Sequence, residues 1–230
     1  MKKKILFVLL IVVIITTACK KEIIQNEVQI EWVDFIKFND ITYYSNDYIT
    51  DDERNNIKLG EIYSTVEFKV SDVVFDTKYN VKDGDAAFHE IGTKVFSVVG
   101  YDTNFRLCID TEYGIRLYEA NINPKAKFGR DILDIKDKVD YITLNSEQDA
   151  QTVIITIENK LDVNNIVNIV LDSAIVDRLS IVNEKRYFLE FHLTDGTSVT
   201  RCYWIDDNIL QPNIKLQDNM INIISKYVFE

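Results

Sequence analysis

The sequence predicts an α+β fold. A small antiparallel β-barrel-like or curled-sheet unit over residues 34–138 precedes, over 139–230, a β-α-β-β-α unit with helices on one face of an antiparallel sheet. Three observations carry that expectation. From Val81 to Ala120, short apolar-rich runs recur between Gly-containing turns, with no ten-residue helical period among them. From Asp162, and again from Asp218, apolar residues recur at the three- and four-residue spacing of one helix face. Between those segments, Thr194-Asp195-Gly196-Thr197 joins two strand-like runs around an Asp-Gly pair, a strong hairpin signal.

Taken in order, Phe35 to Phe38 and Ile41 to Tyr44 flank Asn39-Asp40, two residues that tolerate left-handed backbone and so predict a tight hairpin. Tyr48 to Leu59, with Asp51-Asp52-Glu53, reads as a loop or one helical turn. Glu61 to Val70 alternates, with Ile62, Ser64, Val66, Phe68 and Val70 on the greasier face of a half-buried strand. Ala86–Glu90, Lys94–Val99, Phe105–Ile109 and Ile115–Ala120 follow as short strands, and Asn121 to Lys138, with Pro124 and Gly129, as a connector. A strand at Thr152–Glu158 leads to Asp162 as N-cap of a helix that buries Val163, Ile166, Val167, Val170 and Leu171. A last helix from about Asp218 to Val228 presents Met220, Ile223, Ile224, Tyr227 and Val228.

The hairpin formed by Arg186–Leu193 and Ser198–Ile205 permits a register to be written. A two-residue Asp195-Gly196 loop sets Leu193 opposite Ser198, His192 opposite Val199, Glu190 opposite Arg201, Leu189 opposite Cys202 and Tyr187 opposite Trp204. Tyr187, Leu189, Phe191, Leu193, Cys202 and Trp204 then share an apolar face. Phe188, Glu190, His192, Arg201 and Tyr203 share the other, where a Glu190–Arg201 pair contributes at most about 1 kcal/mol if exposed. That second face is the candidate partner surface, for the N-terminal unit or for an external partner with complementary rim charges.

The chain opens with Met1-Lys2-Lys3-Lys4, an apolar run from Ile5 to Ile15, and Thr16-Thr17-Ala18-Cys19. These are the parts of a secretory signal, and the run is too short to span a bilayer. Thr17-Ala18-Cys19 resembles the lipobox of bacterial lipoproteins, in which a cysteine preceded by small residues is diacylated and becomes the new N-terminus; Thr16 departs from the aliphatic residue usual there. The resemblance implies that residues 1–18 are a signal peptide, that Cys19 is lipidated, and that residues 19–33 are anchor and tether. Two acyl chains give stable attachment, since each buried methylene contributes about 0.8 kcal/mol and one chain alone is marginal. The expected location is the outer side of the cytoplasmic membrane.

Loss of residues 1–18 leaves 23 basic against 37 acidic residues, a net charge of −14. Such a chain repels nucleic acid, and a partner steered by charge is basic or a cation. A disulfide between the two other cysteines, Cys108 and Cys202, is permitted in an exported protein but not indicated by their spacing, no zinc-type spacing occurs, and Cys202 reads as a free apolar core residue.

Little catalytic chemistry is legible. Of the two histidines, His89 precedes Glu90, but the second histidine of a His-Glu-x-x-His metal site is missing, and His192 lies on the polar hairpin face. Asp47 with Asp51-Asp52-Glu53, and Asp83 with Asp85, offer oxygen ligands without the spacing of a calcium loop. No phosphate-cradling glycine loop or Gly-x-Ser-x-Gly elbow occurs, so neither cofactor nor metal is expected. Lys82-Asp83-Gly84-Asp85-Ala86-Ala87-Phe88, Ile91-Gly92-Thr93, Val99-Gly100-Tyr101, Phe105-Arg106-Leu107, Arg186-Tyr187-Phe188-Leu189 and Asp195-Gly196-Thr197 together resemble a family of lipoproteins of spore-forming Gram-positive bacteria. That resemblance implies a lipid-anchored extracellular placement and assigns no activity, ligand or catalytic residue. The expected function is a non-enzymatic envelope module that binds a protein, peptide or wall component. The alternatives are an envelope hydrolase using Asp83, Asp85 or Glu90 with His89, and an adaptor for a transport or signalling complex.

Overall fold

The computed structural model describes residues 30–176 and 185–228. The expected signal peptide, Cys19 and the expected tether up to residue 29 lie outside the described residues. The N-terminal sheet begins with β1 (Phe35–Phe38) and β2 (Ile41–Ser45), joined through Asn39 and Asp40 at φ 56° and 66°, the left-handed pair expected there. A one-and-a-half-turn helix, α1 (Asp51–Asn56), follows; its N-terminus is closed by a capping box between Thr50 and Glu53. Then come β3 (Leu59–Thr65), β4 (Phe68–Lys69), β5 (Asp85–Ala86), β6 (Lys94–Val98), β7 (Arg106–Thr111) and β8 (Gly114–Ile122). They form one curled, half-barrel sheet in the order β3-β6-β7-β8-β2-β1-β5-β4, antiparallel except for β4 and β5. The continuous strand expected over 61–70 is broken at Val66–Glu67. Register shifts on both sides of Ile62 leave that side chain exposed and turn Tyr63 inward, edge-on to Phe38 at 6.2 Å.

The C-terminal unit is richer in strands than β-α-β-β-α. It comprises β9 (Val139–Asn145), β10 (Val153–Ile157), α2 (Lys160–Asp172), β11 (Ala174–Ile175), β12 (Tyr187–Leu193), β13 (Ser198–Trp204), β14 (Ile209–Leu210), β15 (Ile214–Lys215) and α3 (Asn219–Val228). The sheet order is β10-β9-β12-β13-β14-β15-β11, all antiparallel. α2 starts earlier than expected: Asn159 is the N-cap, accepting from the Leu161 and Asp162 amides. Asp162 instead accepts from Lys226 Nζ (3.0 Å) and Tyr227 Oη (2.8 Å), tying α2 to α3. The apolar faces of both helices are buried as their periodicity requires, through Val163, Ile166, Val167 and Val170 of α2 and Met220 and Ile224 of α3. The largest apolar cluster runs continuously from Ile36, Phe38 and Leu107 in the first sheet to Leu189, Phe191 and the helices in the second.

The hairpin register differs from the expectation by one residue. Tyr187 pairs with Tyr203, Leu189 with Arg201, Glu190 with Thr200 and His192 with Ser198. The loop has three residues, not two. The Leu193 carbonyl accepts from the Gly196 amide, the Leu193 amide donates to Thr197, and Gly196 takes φ 80°. Because side chains alternate along a strand, that slip sends every β13 residue to the opposite face. Phe188, Glu190 and His192 therefore share a face with Ser198, Thr200 and Cys202, while Arg201 and Tyr203 fall with Leu189 and Phe191 and are buried.

The tip of this hairpin plugs into the first unit. Arg106, 1% exposed, donates to Glu119 Oε1 (2.7 and 3.0 Å), to Thr197 Oγ1 (2.9 Å) and to the Ser198 carbonyl (2.6 Å), which faces away from β12 and pairs with no strand among the described residues. Arg201 Nη1 donates to Glu119 Oε2 at 2.6 Å. Tyr101 Oη donates to Asp195 (2.7 Å), Asn56 Nδ2 to the Gly196 carbonyl (3.2 Å), and the Arg106 guanidinium lies over the Tyr101 and Phe105 rings. Burial pushes the Glu119 carboxyl up, but Arg201 and Arg106 more than offset this and hold it below the ordinary glutamate value. Glu119→Gln leaves two buried guanidiniums without a counter-charge and is expected to cost about 3–5 kcal/mol in denaturant unfolding at neutral pH. Since the folded pKa lies below the unfolded one, the stability Glu119 supplies is complete above about pH 4.5 and is lost as pH falls through the folded value. The variant should lack that part of the acid limb.

Candidate functional site

A cleft of about 820 Å³ opens on the first unit. It is built from the residue before β1 (Asp34), α1 (Asp51, Arg54), the β5–β6 loop (Phe88, His89, Glu90) and the β7–β8 hairpin from Ile109 to Arg116. At its back a chain of hydrogen bonds converges on Asp34. Arg116 Nε donates to Asp34 Oδ2 (2.7 Å) and Tyr118 Oη donates to Asp34 Oδ1 (2.9 Å). The single phenolic proton is thereby used, so the Tyr118 oxygen accepts from His89 Nε2 at 2.6 Å. That assigns the Nε2–H tautomer to His89 and leaves Nδ1 as an acceptor. Burial pushes the His89 imidazole below its ordinary value, with Asp34 pulling it up and Arg116 pushing it down, so His89 is neutral at pH 7. Burial and then Asp34 push the Tyr118 phenol up, keeping it a donor.

The lining carries five carboxylates, Asp34, Asp51, Glu90, Asp110 and Glu112, against Arg54 and Arg116. Arg116 is also within 3.3 Å of Asp47, Arg54 donates to the Ile115 carbonyl (3.1 Å), and Glu90 accepts from Lys69 (2.7 Å). Phe88 and Tyr113 stand on its rim, 48% and 88% exposed. Among the described residues the one hydroxyl bonded to His89 is that of Tyr118, and no thiol is bonded to it. Thr111 Oγ1 donates to the Gly114 carbonyl and accepts from the Tyr113 amide. Cys108 and Cys202 are free and buried, and burial pushes their thiols up to about 12 and about 11.

The acids expected to work with His89 are dispersed. Asp83 accepts from the Asp40 amide (2.9 Å), and buried Asp85 accepts from Tyr79 Oη and the Lys82 amide, so both brace turns; Glu90 alone lines the cleft with His89. His89 itself lies in a loop, not a strand. Of the five expected partner-surface residues, Phe188, Glu190 and His192 are half-buried. Phe188 meets Tyr48 with ring centroids 5.7 Å apart, Glu190 accepts from Asn145 (2.7 Å), and His192 stacks on Tyr141 at 4.1 Å and bonds Thr143 (3.1 Å). Cys202 shares their face, contrary to expectation, but pairs with Phe188, four positions along the strand from the partner of His192. Among the described residues no three His, Cys, Asp or Glu are placed to share an ion.

Sequence reasoning missed Asp34, Arg116 and Tyr118. β8 is buried on both faces, with Arg116 and Tyr118 on one and Leu117 and Glu119 on the other, so no polar–apolar alternation marks its charged residues. No family model, curated protein or solved structure matches the chain.

The chain has two histidines, so two imidazole signals are expected by NMR, and both should titrate below pH 6.5. Protonation then favours the unfolded chain: this part of the stability is full above about pH 6.5 and declines as pH falls below it. His89→Gln assigns the signals, and Asp34→Asn, by removing the charge that pulls His89 up, should lower its midpoint further. A His89 midpoint at or above 6.5 contradicts the relay described.

Proposed function

We propose that this chain is a lipid-anchored module of the cell envelope, held at the outer side of the membrane through Cys19, that binds a cationic segment of a protein or peptide without transforming it. The observation that supports binding is the composition of the cleft: five carboxylates against two arginines, two exposed aromatic rings, and an imidazole with a free acceptor nitrogen. Lysine or arginine side chains complement that surface through carboxylates and through ring faces. The net charge of −14 left after loss of residues 1–18 adds long-range attraction for the same partners. A hydrolytic reading is disfavoured because Nε2 of His89 is spent on Tyr118, both Asp34 oxygens are paired, and no activated hydroxyl or thiol adjoins them. Membrane attachment is consistent with the described residues, in which no helix is long and apolar enough to cross a bilayer. The eleven residue-to-residue steps from Cys19 to Ile30 reach at most about 40 Å, which keeps the module near the membrane surface.

Titration of the mature protein with tetralysine, followed by backbone NMR, tests this reading. Saturable shifts at Phe88–Glu90 and Asp110–Gly114 are expected. Binding should weaken as salt rises and fall about tenfold in a Glu112→Gln, Tyr113→Ala double variant. Shifts elsewhere only, or equal binding of tetraglutamate, would overturn it.

A further inference from the structure

A second, smaller cavity of about 300 Å³ lies where the two units meet, between the end of β8, β11 and the β13–β15 turns. Its chemistry is the reverse of the acidic cleft. In a chain with 27% charged residues, none of its eleven lining residues carries a charge. Four are side-chain amides, Asn121, Asn123, Gln211 and Asn213; one is Trp204, and the rest are aliphatic or proline.

Three of the four amides keep hydrogen-bonding capacity that the fold does not use. Asn123 is spent, accepting from the Lys125 amide and donating to the Asp131 carbonyl. Gln211 Oε1 accepts from the Cys202 amide at 3.4 Å, which leaves its Nε2 free. Asn121 and Asn213 bond through their side chains to no other described residue, and the half-buried Trp204 ring forms no aromatic or cation pair among them. Each amide presents both a donor and an acceptor, as each sugar hydroxyl or acetamido group does. The indole offers a flat apolar face of the kind that covers the axial C–H groups of a pyranose.

We propose that this cavity is a subsite for one neutral pyranose ring, bearing hydroxyl and acetamido groups, with Trp204 as the stacking platform and Asn121, Gln211 and Asn213 as hydrogen-bonding partners. Its volume is at the lower end of the range for small-molecule pockets and suits a single ring. Its position between units, reached from both sheets, is where such pockets concentrate. This site is independent of the acidic cleft.

The chain has only two tryptophans, Trp32 and Trp204, so Trp32→Phe makes Trp204 the sole indole reporter. Titrating that variant of the mature protein with triacetylchitotriose should give a saturable change in Trp204 emission, with matching line broadening of the ligand acetyl signals. Parallel titration with N-acetylglucosamine distinguishes sources: equal affinity indicates a free sugar, and tighter trisaccharide binding a glycan chain. Asn121→Ala and Asn213→Gly should each weaken binding about tenfold. Glycine is the appropriate replacement at Asn213, whose φ of 65° it adopts without strain. Acetyl line broadening that persists undiminished in Trp204→Phe or in both asparagine variants would overturn the proposal. So would the absence of any emission change up to about 10 mM sugar.

Discussion

The arrangement of this molecule depends on one buried charge network, Arg106–Glu119–Arg201, which joins a curled N-terminal sheet to the tip of a C-terminal hairpin. Burying three charges is costly, and such a network is neutral or worse for stability compared with apolar residues of equal volume. What it supplies is register. Arg106 closes the Ser198 carbonyl on β13, and Arg201 reaches Glu119 only when it falls on the face it occupies. A hairpin slipped by one residue would send Arg201 to the opposite face and leave Glu119 with half its counter-charge. The three-residue loop through Gly196 and the network across the seam therefore specify the same alignment.

The network also fixes the cleft, because both are built on β8. Glu119 projects to one side of that strand, and Arg116 and Tyr118 to the other, where they orient Asp34 and His89. Any movement of the C-terminal hairpin that pulls on Glu119 therefore acts on the strand that carries the relay. Further along, past Ala120, the same strand supplies Asn121 to the uncharged cavity. One nine-residue strand, Gly114–Ile122, thus holds the seam, the acidic cleft and one wall of the neutral pocket.

Much of the fold was legible because local signals and tertiary structure agree. The Asn39–Asp40 hairpin, the short strands on either side of Gly100 and Gly114, and the apolar stripes of α2 and α3 all follow from turn chemistry and periodicity. Legibility ended where a choice of one residue depended on long-range contacts. Asp-Gly is compatible with a two- or three-residue loop, and only the docking of Arg106 and Arg201 distinguishes them. Asp162 looks like a cap, but Asn159 takes that role while Lys226 and Tyr227, 64 and 65 residues away, occupy Asp162. β14 and β15 are two-residue strands with no period to detect, and β9 merges with the connector before it. The cleft was half visible: His89 and Glu90 stood out by residue type, whereas Asp34, just before β1, and Arg116 and Tyr118 of β8 are brought to it by sheet pairing alone.

If the seam network couples the two units as described, they unfold together. Trp32, packed on Phe35 of the first sheet, and Trp204, in β13 of the second, allow each to be followed separately in Trp204→Phe and Trp32→Phe chains. Each signal should be referenced to far-UV circular dichroism of the same variant. The account predicts that fluorescence and dichroism give one coincident urea transition in both chains. Two resolved transitions, with Trp204 and Trp32 reporting different midpoints against the same dichroism curve, would contradict it and show that the buried network does not make the two sheets one cooperative body.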